Sequence, residues 1–128
     1  MNYLLDTHIF LWMAAAPEKL SVKAEECIMN IDNTLYLSIV RLWEMQIKTQ
    51  LGKLSLDLPL DELWHKQQMH SDIFLLHTKE EHVWELGNLP QVHKYPFDRL
   101  LIAQSRYEKM GLISADDIVA KYEARVVW

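Results

Sequence analysis

Residues 3–8 read Tyr3-Leu4-Leu5-Asp6-Thr7-His8, and the reading of this stretch decides the fold. Three apolar residues stop at an acid, after which Ile9, Leu11, Trp12, Ala15 and Ala16 recur at helical spacing. A strand feeding directly into a helix opens a strand-helix-strand unit, with Asp6 at the joint. The remaining chain repeats the alternation. Ser21 caps a predicted helix beginning at Val22, Leu35 to Leu37 is a strand, and Ser38 caps a helix from Ile39 to about Gln50 that Gly52 ends. Leu60 to His70 reads as a helix, Ile73 to Leu76 as a strand, and Lys79 to Leu86 as a short helix. Pro96 suits the first position of a helix reaching Met110, followed by Gly111, a buried strand at Leu112-Ile113 and an edge strand at Val126-Val127. Such alternation requires right-handed crossovers and a mostly parallel sheet covered by helices on both faces, an α/β fold.

With 128 residues, half of them hydrophobic, the chain is long enough for one core, so a single domain over 1–128 is expected. Only three glycines and four prolines occur, and no biased stretch marks a linker. The apolar run Ile9 to Ala16 is too short to cross a bilayer and has no basic stretch before it, so no membrane association and a cytoplasmic location are expected. Cys27 is the sole cysteine, which excludes intrachain disulfides and thiolate clusters. The pairs His65/His70 and His77/His82 are out of helical register for zinc, and His8 and His93 read as structural or surface groups. Any metal should therefore be a hard one held by oxygen. The net charge of -5 argues against general electrostatic capture of nucleic acid, although four acids gathered in one pocket would leave the rest of the surface nearly neutral.

Four acids stand out: Asp6, Glu44, Asp98 and Asp116. In open α/β sheets ligands bind beyond the carboxyl ends of the strands, where Asp6 and Asp116 fall by position. Each can also be read plainly, Asp6, Asp116 and Asp117 as helix caps and Asp98 as a first-turn acid favoured by the helix dipole. Glu44 is different. With about 100° per residue, Val40, Trp43, Ile47 and Leu51 share one arc with Glu44 at its margin, so its carboxylate should be partly buried and need a partner, Lys48 being the local one. Converging carboxylates suit Mg²⁺ or Mn²⁺. Without a metal, their repulsion would raise at least one carboxyl pKa. Thr7 and Ser114 could orient water or phosphate, and Arg41, Lys48, Lys94 and Arg99 lie near the acids in sequence, Arg99 being the preferred candidate for positioning a substrate. The tryptophans read mainly as packing groups.

Leu-Leu-Asp-Thr-His at 4–8, Leu-Tyr-Leu-Ser to Leu-Trp-Glu at 35–44, Lys-Thr-Gln-Leu-Gly-Lys-Leu at 48–54, Pro-Phe-Asp-Arg-Leu-Leu-Ile-Ala-Gln at 96–104 and Ile-Ser-Ala-Asp at 113–116 together resemble a PIN-domain ribonuclease, most nearly a VapC-type toxin of a toxin-antitoxin pair. The resemblance implies a three-layer α/β/α fold with strand order 3-2-1-4-5. It also implies metal-dependent cleavage of RNA, with Asp6, Glu44, Asp98 and Asp116 as catalytic and metal-binding acids and Mg²⁺ or Mn²⁺ as cofactor. A cognate antitoxin protein laid across the pocket and a homodimer belong to the same expectation. Tyr95 departs from the pattern, since many relatives carry an acid there, and Asp117 is a secondary candidate that could substitute for it. Two other readings stand beside the nuclease: a non-catalytic domain binding RNA or protein, and an aspartyl-phosphate phosphatase built on Asp6. The latter lacks a second aspartate two residues on, where His8 stands.

Overall fold

A computed structural model describes residues 1–92, 94–122 and 124–128; His93 lies outside the described residues. The chain order is β1 (Asn2–Leu5), α1 (Thr7–Ala15), α2 (Val22–Met29), β2 (Thr34–Ser38), α3 (Ile39–Gln50), α4 (Leu60–Ser71), β3 (Phe74–Leu76), α5 (Glu80–Glu85), α6 (Pro96–Glu108), β4 (Gly111–Ile113) and β5 (Val126–Val127). The five strands form one parallel sheet in the order β3-β2-β1-β4-β5. No helix among the described residues is long and apolar enough to cross a membrane.

Successive strand residues point to opposite faces, and β1 uses this to join two cores. Tyr3 and Leu5 pack with Leu35, Leu37 and Ile113 beneath Ile9, Phe10, Ala24, Met45 and Trp64 from α1 to α4. Leu4 turns the other way and packs with Leu112 beneath Leu101, Ile102 and Ala103 of α6. The sheet is the middle of three layers. Gly111 opens β4 where a Cβ would run into the Tyr3 ring, so close approach of the neighbouring strand demands glycine there.

The caps act as the sequence indicates. The Ser21 side chain accepts from the Ala24 amide, that of Ser38 from the Val40 amide, and Gly52 takes a left-handed φ of 71° just beyond α3. One expectation for α3 is corrected. Trp43 and Leu51 are 61% and 62% exposed, whereas Val40, Arg41, Glu44 and Met45 are buried, so the inward face is rotated from the apolar arc towards two charged residues. Hydrophobic periodicity alone finds the apolar stripe; it does not register that part of this helix faces a polar pocket. The smaller differences are a β3 that starts at Phe74, just after buried Ile73, and an α6 that stops at Glu108.

Candidate active site

Asp6 follows β1 and caps α1, its Oδ1 accepting from the Thr7 amide at 2.8 Å. Its Oδ2 accepts from Ser114 Oγ at 2.6 Å, which ties the end of β1 to the loop after β4. Glu44 comes from the second turn of α3 and Asp98 from the first turn of α6, behind Pro96. All three reach one cation, Arg41. Its Nη2 lies 2.7 Å from Asp6 Oδ1 and 2.8 Å from Asp98 Oδ1, while Nη1 donates to Glu44 Oε1 at 2.9 Å. Arg41 is 1% exposed and Glu44 2%.

Glu44 is further held at both oxygens. Thr7 Oγ1 donates to Oε1 at 2.9 Å, Lys48 Nζ approaches Oε2 at 3.3 Å, and the Tyr95 hydroxyl donates to Oε2. Lys48 Nζ also lies over the Tyr95 ring, 5.5 Å from its centre. Burial pushes the Glu44 carboxyl up, but Arg41, the two hydroxyl donors and Lys48 outweigh it and hold the pKa below the ordinary glutamate value. Burial pulls the other way on Arg41, and Asp6, Glu44 and Asp98 together raise it. The expectation of an acidic cluster with a raised carboxyl pKa thus fails for Glu44, because the chain supplies its own counter-ion. Tyr95 is raised by burial and by its bond to Glu44. That tyrosine serves as a donor to the cluster rather than adding to its charge.

The predicted residues separate into those the pocket gathers and those it does not. Asp6, Glu44, Asp98, Thr7 and Ser114 share one hydrogen-bonded network. Asp116 is set back: its amide donates to Ser114 Oγ at 3.1 Å, while its Oδ1 accepts from the Ile118 amide at 2.9 Å. It lines an open cleft of about 310 Å³ with Asp6, His8, Trp12 and Ala115, so it faces the same space, linked to the network through its amide and not through a carboxylate bond to Arg41. Asp117 is exposed beside it. Arg99 points elsewhere, donating to the carbonyls of Pro90 at 2.9 Å and Leu86 at 3.5 Å, so it braces the loop before α6. Lys94 is exposed. A larger groove of about 500 Å³, lined by Gln46, Thr49 and residues 54–61, contains none of the four acids.

Arg41 is the residue that sequence reasoning undervalued, since a basic residue on a helix is ordinarily a solvated one. The available signal was its place three residues before Glu44, a spacing that puts both on one side of the helix. Among the described residues no three His, Cys, Asp or Glu side chains form a group ready to hold a metal ion. The donor chemistry nevertheless suits a hard cation, because Asp6 Oδ1 and Asp98 Oδ1 converge on a single positively charged atom, Arg41 Nη2. The guanidinium stands where such an ion would be drawn.

A five-stranded parallel α/β domain with an acidic pocket beyond its central strand is the class defined by this geometry. The PIN domain family matches residues 3–124, and the chain belongs to that family. Its members are generally nucleases. Among solved structures, the chain is similar to VapBC2 from Rickettsia felis bound to a DNA fragment from its promoter, with 15% identity, a TM-score of 0.73, and coverage of 98% of this chain and 97% of that one. It is also similar to VapBC-1 from nontypeable Haemophilus influenzae, at 17% identity and a TM-score of 0.61 over 91% and 87% of the two chains. A toxin-antitoxin complex from Klebsiella pneumoniae matches at 14% identity and a TM-score of 0.61, over 98% and 96%. At these identities the likeness is one of fold. No protein of curated function matches the sequence.

Proposed function

We propose that this PIN domain is an endoribonuclease of the VapC toxin type, acting in the cytoplasm and held in check by a cognate antitoxin protein. The observation that carries the reading is the convergence of Asp6, Glu44 and Asp98, from three separate elements, on one buried cationic point. An ordinary core has no use for three carboxylates facing one guanidinium. Similarity in fold to the toxin-antitoxin complexes supports the antitoxin partner, and a homodimer is part of the same reading.

Asp6 and Asp98 would hold Mg²⁺ or Mn²⁺, with Glu44 and Asp116 at the margins of the site. Bound there, the ion would supply a water of lowered pKa and offset charge developing on the phosphodiester oxygens. The protein's own contribution is orientation. Thr7 and Tyr95 fix the Glu44 carboxylate, and Ser114 fixes that of Asp6. Lys48, partly exposed beside Glu44, is placed to meet an incoming phosphate, a role assigned from sequence to Arg99. Thr7 and Ser114 therefore act through the acids rather than on substrate. The cleft beside Asp6 and Asp116 is where the RNA backbone would enter.

The Arg41 network also favours a second reading, a non-catalytic domain that binds RNA or protein with its acids permanently neutralised. Incubating the purified chain with a mixed RNA pool, with Mn²⁺ and with EDTA, and mapping new 5′ and 3′ ends, separates the two. The nuclease reading expects discrete Mn²⁺-dependent cuts that Asp6→Asn reduces about 100-fold or more. Equal end patterns for wild type and Asp6→Asn would sink it.

A further inference from the structure

We propose that Arg41 is an intramolecular competitor for the divalent cation, so that metal loading requires its guanidinium to leave Asp6 and Asp98. The inference rests on the metal-dependent reading above and adds a regulatory element to it. Arg41 Nη2 bridges Asp6 Oδ1 and Asp98 Oδ1 at 2.7 and 2.8 Å, so the same oxygens cannot bind both cations in this arrangement.

The arginine is parked rather than fully satisfied. Its Nε is buried without an acceptor among the described residues, although its other two nitrogens carry three carboxylate contacts. A buried unpaired donor opposes the folded arrangement, and a guanidinium that swung towards the cleft could regain water there. The reaction is a simple exchange of cations. A divalent ion replaces one positive charge among three negative ones, and no proton, bond or electron is transferred. When Arg41 departs, Glu44 keeps Lys48, Thr7 and Tyr95, and Asp6 keeps Ser114, so these carboxylates stay held in place.

The arrangement has a specific consequence for affinity. Metal binding to wild type includes the work of displacing Arg41, and a neutral side chain at that position removes this opposition as well as a like charge. The test is an Mn²⁺ binding isotherm, read from loss of the free-ion paramagnetic signal, on wild type, Arg41→Gln, Arg41→Lys and the double variant Asp6→Asn/Arg41→Gln. Arg41→Gln should bind Mn²⁺ at least about tenfold more tightly than wild type, and the double variant should lose most of that gain. Arg41→Lys, whose single ammonium cannot engage both sides of the pocket, should gain about threefold. It decides the matter if Arg41→Gln does not fold by circular dichroism.

Equal or weaker Mn²⁺ binding by the folded Arg41 variants would overturn the proposal, as would an isotherm with no binding in wild type and variants alike. RNA cleavage measured on the same samples keeps the two readings apart. Cleavage with no change in affinity defeats the competition and leaves the nuclease. Tighter binding without cleavage in any sample defeats the nuclease and leaves the competition.

Discussion

Helix α6 carries an acid near each end, and the two ends meet opposite fates. Asp98, in the first turn, is favoured by the helix dipole and shares the Arg41 guanidinium with two other carboxylates. Glu108, in the last turn, is disfavoured by that dipole but is met by two donors of its own, His82 Nε2 at 3.0 Å and Lys79 Nζ at 3.1 Å. His82 is in turn fixed by the Lys79 amide on Nδ1 and by the edge of the Tyr107 ring. At the C-terminal end donors match the acceptor, and the network holds α5 against α6. At the N-terminal end three acids converge on one buried guanidinium, with Lys48 at the margin, a concentration of charge that folding alone would not favour. Polar burial is thus common to both ends; what separates them is how many acids meet at one cation.

The sharpest way to break this comparison is to remove the counter-ion. Arg41→Ala should lower the unfolding free energy in EDTA by about 3–5 kcal/mol, because it strands buried carboxylates, and urea unfolding measures it. A loss below about 1 kcal/mol would mean that the acids need no internal cation and that the two ends do not differ in kind. The next effect is smaller and depends on pH. Burial pushes Glu108 up, but its bonds from His82 and Lys79 prevail and hold its pKa below the ordinary value. A depressed carboxyl pKa adds stability that is present above the unfolded value of about 4.3 and is lost as pH falls through the folded value. Glu108→Gln should therefore be less stable than wild type at neutral pH, with the gap closing in melts taken below about pH 4. A gap that does not vary with pH would remove charge from the account of that end. The smallest effect concerns the cap. Lys109 ends α6 at a φ of 56°, a conformation better suited to glycine, so Lys109→Gly should stabilise by about 0.5–1 kcal/mol without altering Mn²⁺ binding at the far end.

Much of the fold was legible because local chemistry marks it. Ser21, Ser38 and Gly52 bound their helices for short-range reasons, and β1 reads as a strand from three consecutive apolar residues. Asp6, Glu44 and Asp98 were legible for a related reason, since each sits at an element's end or interrupts an apolar face. Arg41 was not. Its partners include Asp98, 57 residues away, and no window of sequence along α3 contains that information. The same blindness placed Trp43 in the core, whereas it stands exposed with its ring edge-on to Phe97 at 5.2 Å. Asp116 illustrates the opposite outcome. It reaches the expected edge of the sheet, but the Ile118 amide two residues on takes one of its oxygens. Arg99 adjoins Asp98 in sequence, yet its head turns to the carbonyls of Leu86 and Pro90, since neighbours on a helix diverge by about 100°.

The bond from Ser114 to Asp6 spans 108 residues, and β1 pairs with β4 across a similar distance. During synthesis the first strand therefore waits for about 108 further residues before its second neighbour exists. Asp6 is made 108 residues before its Ser114 partner. A nascent chain halted before β4 carries three of the four acids, Asp6, Glu44 and Asp98, but neither the strand nor the hydroxyl that fixes Asp6. In biogenesis the pocket is thus a late product of a strand made early, and an incomplete polypeptide at the ribosome lacks the assembled site.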